Sequence, residues 1–145
     1  QRYRHIVTLL EITGLTHAKL AQELNLKAFR FSAIIISKKD PVGIDIEMQR
    51  DKIVKIAHKF TPIDEYKTIA NHHALVSKLT IVWGAKESLY KIYGKKQLRF
   101  LDHIDIDDFD FTDLKTIGRI KYNGHVSNHS IHFLEFEGYT CVYGF

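Results

Sequence analysis

Two short stretches of this chain carry residue types that can do chemistry. In Val42–Glu47 (VGIDIE), Asp45 and Glu47 lie two positions apart. On a β-strand, residues i and i+2 share a face, roughly 6–7 Å apart, so the two carboxylates would stand side by side and repel each other. A bound cation or plain solvation relieves that repulsion, and the pair alone fits either. The second stretch, Trp83–Lys96 (WGAKESLYKIYGKK), sets Glu87 and Lys91 one turn apart on a helix. Trp83 falls one turn earlier on the same stripe, and Lys86 and Tyr90 form the neighbouring one. By itself this stretch also reads as an amphipathic helix with a surface Glu–Lys pair. Together, Asp45, Glu47 and Glu87 supply three oxygen ligands. That set suits Mg²⁺, which binds carboxylates while keeping places for water and substrate phosphates. Lys91, with Lys86 beside it, can neutralise such phosphates.

The elements that must position these residues follow from patterning. Residues 3–24 read as helical, with Ile6, Leu9 and Leu10 at helical spacing, Gly14 ending one helix and Thr16 capping the next. Residues 31–37 (FSAIIIS) read as a buried strand. The polar turn Lys38–Pro41 then makes it a hairpin with 42–47, whose second face is acidic. A short helix spans 51–60. Thr61-Pro62 breaks it and starts another helix running toward Ala70. Residues 75–93 form the longest helix, stopped by Gly94. Strands at 115–121, 130–136 and 139–143 form a meander. The fold class is α+β: helices packed on small antiparallel sheets, with an N-terminal lobe at 1–41, a catalytic lobe at 42–145 and the site in a cleft between them.

Composition sets bounds. The chain of 145 residues is 45% apolar and 26% charged, as expected of a globular protein with one domain or two small lobes. No apolar run approaches the ~20 residues needed to span a bilayer, and no secretory signal is evident. The single cysteine, Cys141, allows no internal disulfide, so the expected compartment is the cytoplasm. The net charge of +4 suits a nucleotide, an acidic protein surface or nucleic acid without choosing among them.

Val42-Gly43-Ile44-Asp45-Ile46-Glu47, followed by Trp83-Gly84-Ala85-Lys86-Glu87-Ser88-Leu89-Tyr90-Lys91, resembles the paired signature of the 4′-phosphopantetheinyl transferases, in the surfactin-synthetase-activating (Sfp-type) branch. That branch reads G-[IV]-D-[IV]-E and then W-x-x-K-E-[AS]-x-x-K. The intervening IAHKFTPIDEY and the terminal TCVYGF are similar to it as well, so the resemblance covers about residues 34–145. It implies transfer of the 4′-phosphopantetheine group of coenzyme A to a serine of an acyl or peptidyl carrier protein, releasing 3′,5′-ADP. It implies Mg²⁺ held by Asp45, Glu47 and Glu87. Glu87 would take the serine proton, and Lys91 would contact the coenzyme A phosphates. Lys86 would be a secondary phosphate or structural contact, Arg4 would approach the coenzyme from the first helix, and Trp83 would buttress the site. A monomer is expected, with neither nucleic acid nor membrane as partner.

The N-terminal part departs from the pattern. The family's Gly-Lys-Pro stretch and Ser-His-Ser-like motif are missing before FSAIIIS. Either the chain truly lacks them, which would weaken coenzyme A binding and could leave a degenerate carrier-binding paralogue, or the sequence omits a flexible loop with its join near residues 24–30. The intact positions downstream favour an omitted loop. A metal-dependent nuclease is the remaining enzyme alternative, but nucleases carry Glu and Lys two apart on one strand and want a longer basic stripe. His125, His129 and His132 follow the Asn123-Gly124 turn and read as surface hairpin positions rather than metal ligands. His72-His73 reads as a polar connection. Asp102–Asp113 lacks the glycine and terminal glutamate of a calcium loop and reads as a solvated loop packing Phe109 and Phe111. Lys52, Lys55, His58 and Lys59 offer a basic face to an acidic carrier.

Overall fold

The computed structural model describes residues 5–11 and 31–145. Two antiparallel sheets carry the described strands. β1 (His5–Glu11) pairs with β2 (Phe31–Ser37). A five-stranded sheet runs in the order β3 (Gly43–Met48), β7 (Tyr139–Gly144), β6 (His125–Phe136), β5 (Lys115–Tyr122), β4 (Ile104–Ile106). The helices are α1 (Lys52–Ile56), α2 (His72–Tyr93) and α3 (Phe100–His103).

α2 is the axis of the molecule. The Asn71 side chain caps its start by accepting from the Ala74 N–H at 2.9 Å. Gly94 closes it in the left-handed conformation, φ 70°, with its N–H on the Tyr90 carbonyl. Between those ends the helix is buried on several sides, including Lys78, Thr80, Lys86 and Ser88 as well as its apolar residues. It lies across one face of the sheet, where Leu79, Val82 and Leu89 join Ile104, Ile120, Ile131, Phe133 and Val142 in the core. The hairpins β5–β6 and β6–β7 turn at Asn123-Gly124 and Glu137-Gly138, all four residues at positive φ, which matches the right-handed twist of paired strands.

The structure corrects several expectations. Residues 5–11 are a strand, not a helix: the β-branched run Ile6-Val7-Thr8 pairs along its length with FSAIIIS, and that pairing overrides helical spacing. The expected Gly14 stop, the Thr16 cap and the join near 24–30 lie outside the described residues. β2 and β3 are not a hairpin. β3 pairs with the C-terminal strand β7, with Asp45 opposite Val142, while β2 pairs with β1. Phe31 nevertheless docks on the face of the large sheet opposite α2, edge-on to Phe136 and Tyr139. The helix expected after Pro62 is a single 3₁₀ turn, Ile63–Tyr66. His72-His73 opens α2 rather than lying in a connection. The supposed loop at 102–113 contains β4, which forms because Ile104, Asp105 and Ile106 pair with Ile120, Arg119 and Gly118 of β5. Its aspartates are partnered, Asp105 with Lys121, Asp107 with Arg119 and Asp108 with Lys78. Of its phenylalanines, Phe109 is buried and Phe111 is about one-third exposed, at 37%. Among the described residues no helix is long and apolar enough to cross a membrane.

Candidate active site

The acidic face of β3 turns toward α2. Two glycines permit this. A Cβ on Gly43 would meet the Ser88 carbonyl oxygen at 2.0 Å, so strand and helix backbones touch there. A Cβ on Gly84 would meet Val142 Cγ2 at 2.7 Å and come within 3.7 Å of Asp45 Oδ2. Ser88 staples the same junction, its hydroxyl donating to Val142 O at 3.0 Å and Gly84 O at 2.8 Å. Asp45 therefore lies beside Gly84, with its side chain 12% exposed.

Lys91 reaches back from the last turn of α2. Its ammonium donates to Ile44 O at 2.6 Å and to Asp45 Oδ1 at 3.0 Å. The other carboxylate oxygen, Asp45 Oδ2, is buried without a hydrogen-bond partner. A buried acceptor left in this state costs free energy unless something cationic or protic meets it. Glu47, at the exposed end of the row, shares a small recess with the Trp83 indole. Glu87 completes the row from the helix.

The electrostatics tie these groups together. Burial pushes the Asp45 carboxyl up, and Lys91 only partly opposes it. Glu47 is raised by burial and then by the charge of Asp45, against the pull of Trp83, Arg50 and Lys52. Glu87 is raised by burial and then by Asp45 and Glu47, with Lys91 opposing. Asp45 thus disfavours ionisation of both glutamates, and Glu47 that of Glu87, as expected of clustered acids short of positive charge. Among the described residues no group of three His, Cys, Asp or Glu side chains is arranged to hold a metal ion. What fits a divalent cation here is the donor set, all carboxylate oxygens, together with the orphaned Oδ2.

Lys86 lies elsewhere in the helix cross-section. It is 2% exposed, and its ammonium donates to Phe60 O at 2.6 Å and Phe100 O at 2.9 Å. Burial lowers its pKa to about 8. Arg4 lies outside the described residues. A recess of about 140 Å³ adjoins Glu47 and Trp83, with Ile53 and Ile56 in its walls and Arg50 and Lys52 among its lining. A larger cleft of about 460 Å³ is lined by Tyr66, Lys78, Asp108 and Phe109, but its Asp107 and Asp108 already have cationic partners. Sequence reasoning singled out neither the packing role of Gly43 and Gly84 nor Ser88 and Phe100. A glycine directly before an acidic strand, and another inside a helix, were the available signals for the first two.

A family model described as the 4′-phosphopantetheinyl transferase superfamily matches residues 41–143, which include β3, α2 and the carboxylate row. The chain belongs to this superfamily. No curated protein matches it. The superfamily is one of enzymes that pass phosphopantetheine to carrier proteins, and the matched span contains both elements that carry Asp45, Glu47, Glu87 and Lys91.

Proposed function

We propose that this chain transfers the 4′-phosphopantetheine group of coenzyme A to a serine of an acyl or peptidyl carrier protein, as an enzyme of the Sfp-type branch. The observation that carries the reading is the Asp45–Glu47–Glu87 row, with its orphaned Asp45 Oδ2, in a chain of this superfamily. Asp45, Glu47 and Glu87 would hold Mg²⁺, which when bound offsets charge on the pyrophosphate oxygens. The carrier serine Oγ attacks the β-phosphorus of coenzyme A. A bond from Oγ to phosphorus forms, and the bond to the bridging oxygen of 3′,5′-ADP breaks. Glu87 accepts the serine proton, a role helped by burial, which raises its carboxyl above its ordinary value. Lys91, shared between Asp45 and the incoming phosphates, steadies the departing 3′,5′-ADP.

Lys86 is already spent on two backbone carbonyls, so the phosphate contact is assigned to Lys91. Arg4 keeps its proposed place at the coenzyme. The exposed basic residues Lys52, Lys55, His58 and Lys59 would meet an acidic carrier. The division into lobes at 1–41 and 42–145, a monomeric state and work in the cytoplasm belong to the same reading.

The test is mass spectrometry of an apo acyl carrier protein incubated with this protein, coenzyme A and Mg²⁺. Gain of one phosphopantetheine arm, abolished by EDTA, is the expected result. No gain with several carriers would replace the transferase reading with that of a carrier-binding module.

A further inference from the structure

The buried ammonium of Lys86 has no phosphate-facing surface, yet it sits one position before Glu87. Its two acceptors are the carbonyls of Phe60, just after the 3₁₀ turn Ala57–Lys59, and Phe100, at the start of α3. The rings of these same two residues flank the Trp83 indole, Phe60 edge-on at 5.1 Å and Phe100 tilted at 5.3 Å between centroids. Trp83 lies three residues before Lys86 on α2, so both emerge on one side of the helix. The indole and the Glu47 carboxylate in turn line the same small recess.

We propose that Lys86 is a positioning residue: by clamping the Phe60 and Phe100 carbonyls it holds their rings against Trp83, and Trp83 holds the Glu47 carboxylate in line with Asp45. The inference rests on the reading of Asp45, Glu47 and Glu87 as a cation site. The physical logic is that segments 60–62 and 99–103 come from far apart in the chain and make few backbone hydrogen bonds to α2. A three-donor cation buried between them joins both to the helix at once. Without it, two buried carbonyls lose their donor and both segments are free to move away, which unpacks the indole from both sides. Groups that orient a metal-binding carboxylate typically change metal affinity by about 10–100-fold when removed.

Trp83 is the only tryptophan in the chain, so its fluorescence reads the first link and Mn²⁺ affinity, measured by electron paramagnetic resonance of free Mn²⁺, reads the second. Lys86→Met keeps the length and apolar stem of the side chain and removes the donors. The expected result is a red-shifted Trp83 emission with greater acrylamide quenching, and Mn²⁺ affinity lower by about 10–100-fold. Lys86→Gln, which keeps the two donors of an amide NH₂ at shorter reach, should give intermediate values and stands in if Lys86→Met does not fold. Trp83→Phe should weaken Mn²⁺ binding to a similar degree, and the double variant Lys86→Met/Trp83→Phe should be no weaker than the worse single variant, because both act along one path. Unmoved emission and unmoved Mn²⁺ affinity in the folded variants overturn the proposal. So does a raised KM for coenzyme A with both spectroscopic readouts unchanged, which would make Lys86 a phosphate ligand. Failure of the wild-type protein to bind Mn²⁺ removes the cation-site reading, and the Lys86–Trp83 link then stands or falls on the emission alone.

Discussion

Gly43→Ala is the sharpest probe of how this site is built. The new methyl would sit 2.0 Å from the Ser88 carbonyl oxygen, 2.8 Å from its carbonyl carbon and 3.0 Å from its Cα. All three are backbone atoms, so no side-chain rotation relieves the clash. Reaching ordinary contact requires β3 and α2 to part by roughly 1.4 Å at this point. Forcing extra volume into a packed contact costs about 1–3 kcal/mol, and a backbone-to-backbone clash belongs at the upper end. The entropic gain of replacing glycine, about 0.4–1 kcal/mol, offsets only part of it. A net loss of about 2 kcal/mol should lower Tm by roughly 4–8 °C in a domain of this size. The functional loss should be larger. Ser88 follows Glu87 directly and Asp45 is two residues from Gly43, so the same displacement separates the carboxylates. A shift of about 1 Å in a reacting geometry can cost on the order of 100-fold in rate. Calorimetry and carrier modification measured on the same preparation provide the check. A variant as stable as wild type, with undiminished transfer, would show that the glycine contact does not set the carboxylate row.

Glu87→Gln should leave the fold and Tm intact while abolishing transfer, read as loss of the carrier mass gain; near-normal turnover would sink the assignment of this residue. Mg²⁺ should raise Tm, by the equivalent of about 2.7 kcal/mol at a hundredfold excess over Kd. Asp45→Asn should lose that rise without destabilising the metal-free chain, because burial already disfavours the charge it removes; an equal Mg²⁺ response in the variant would contradict this. Cys141 is buried and its thiol is pushed up to about 11. At pH 9 it should resist iodoacetamide in the native protein and react once urea unfolds the chain, as followed by mass. Because the folded-state pKa lies above the unfolded one, its contribution to stability is complete below about pH 9 and is lost as pH rises through about 11.

Much of this was legible without coordinates. The span of α2 could be read from its apolar run and from Gly94, because a left-handed helix stop is a local property of glycine. The two C-terminal hairpins were legible for a similar reason: Asn-Gly and Glu-Gly turns are set by residues adjacent in the chain. The motif spacing pointed to Asp45, Glu47, Glu87 and Lys91, and the structure brings Lys91 onto Asp45 across 46 residues of chain. Partner choice was not legible. FSAIIIS is an apolar strand whichever neighbour it takes, and only the assembled molecule pairs it with His5–Glu11 and gives β3 to the C-terminus. The short β4 carries too little pattern to be seen until β5 lies beside it.

The sequence by itself determined the chemistry available, since carboxylates, a lysine and their helical and strand periods are properties of residue type and spacing. The tertiary structure decided which face of β3 turns inward. The alternation of Ile44 and Ile46 with Asp45 and Glu47 fits either face, and the missing side chains of Gly43 and Gly84 let helix and strand close on the acidic one. That approach buries Asp45 Oδ2 without a partner and spends Lys86 on two carbonyls 40 residues apart. Long-range contacts of this kind depend on where backbones can touch, and no local pattern encodes that.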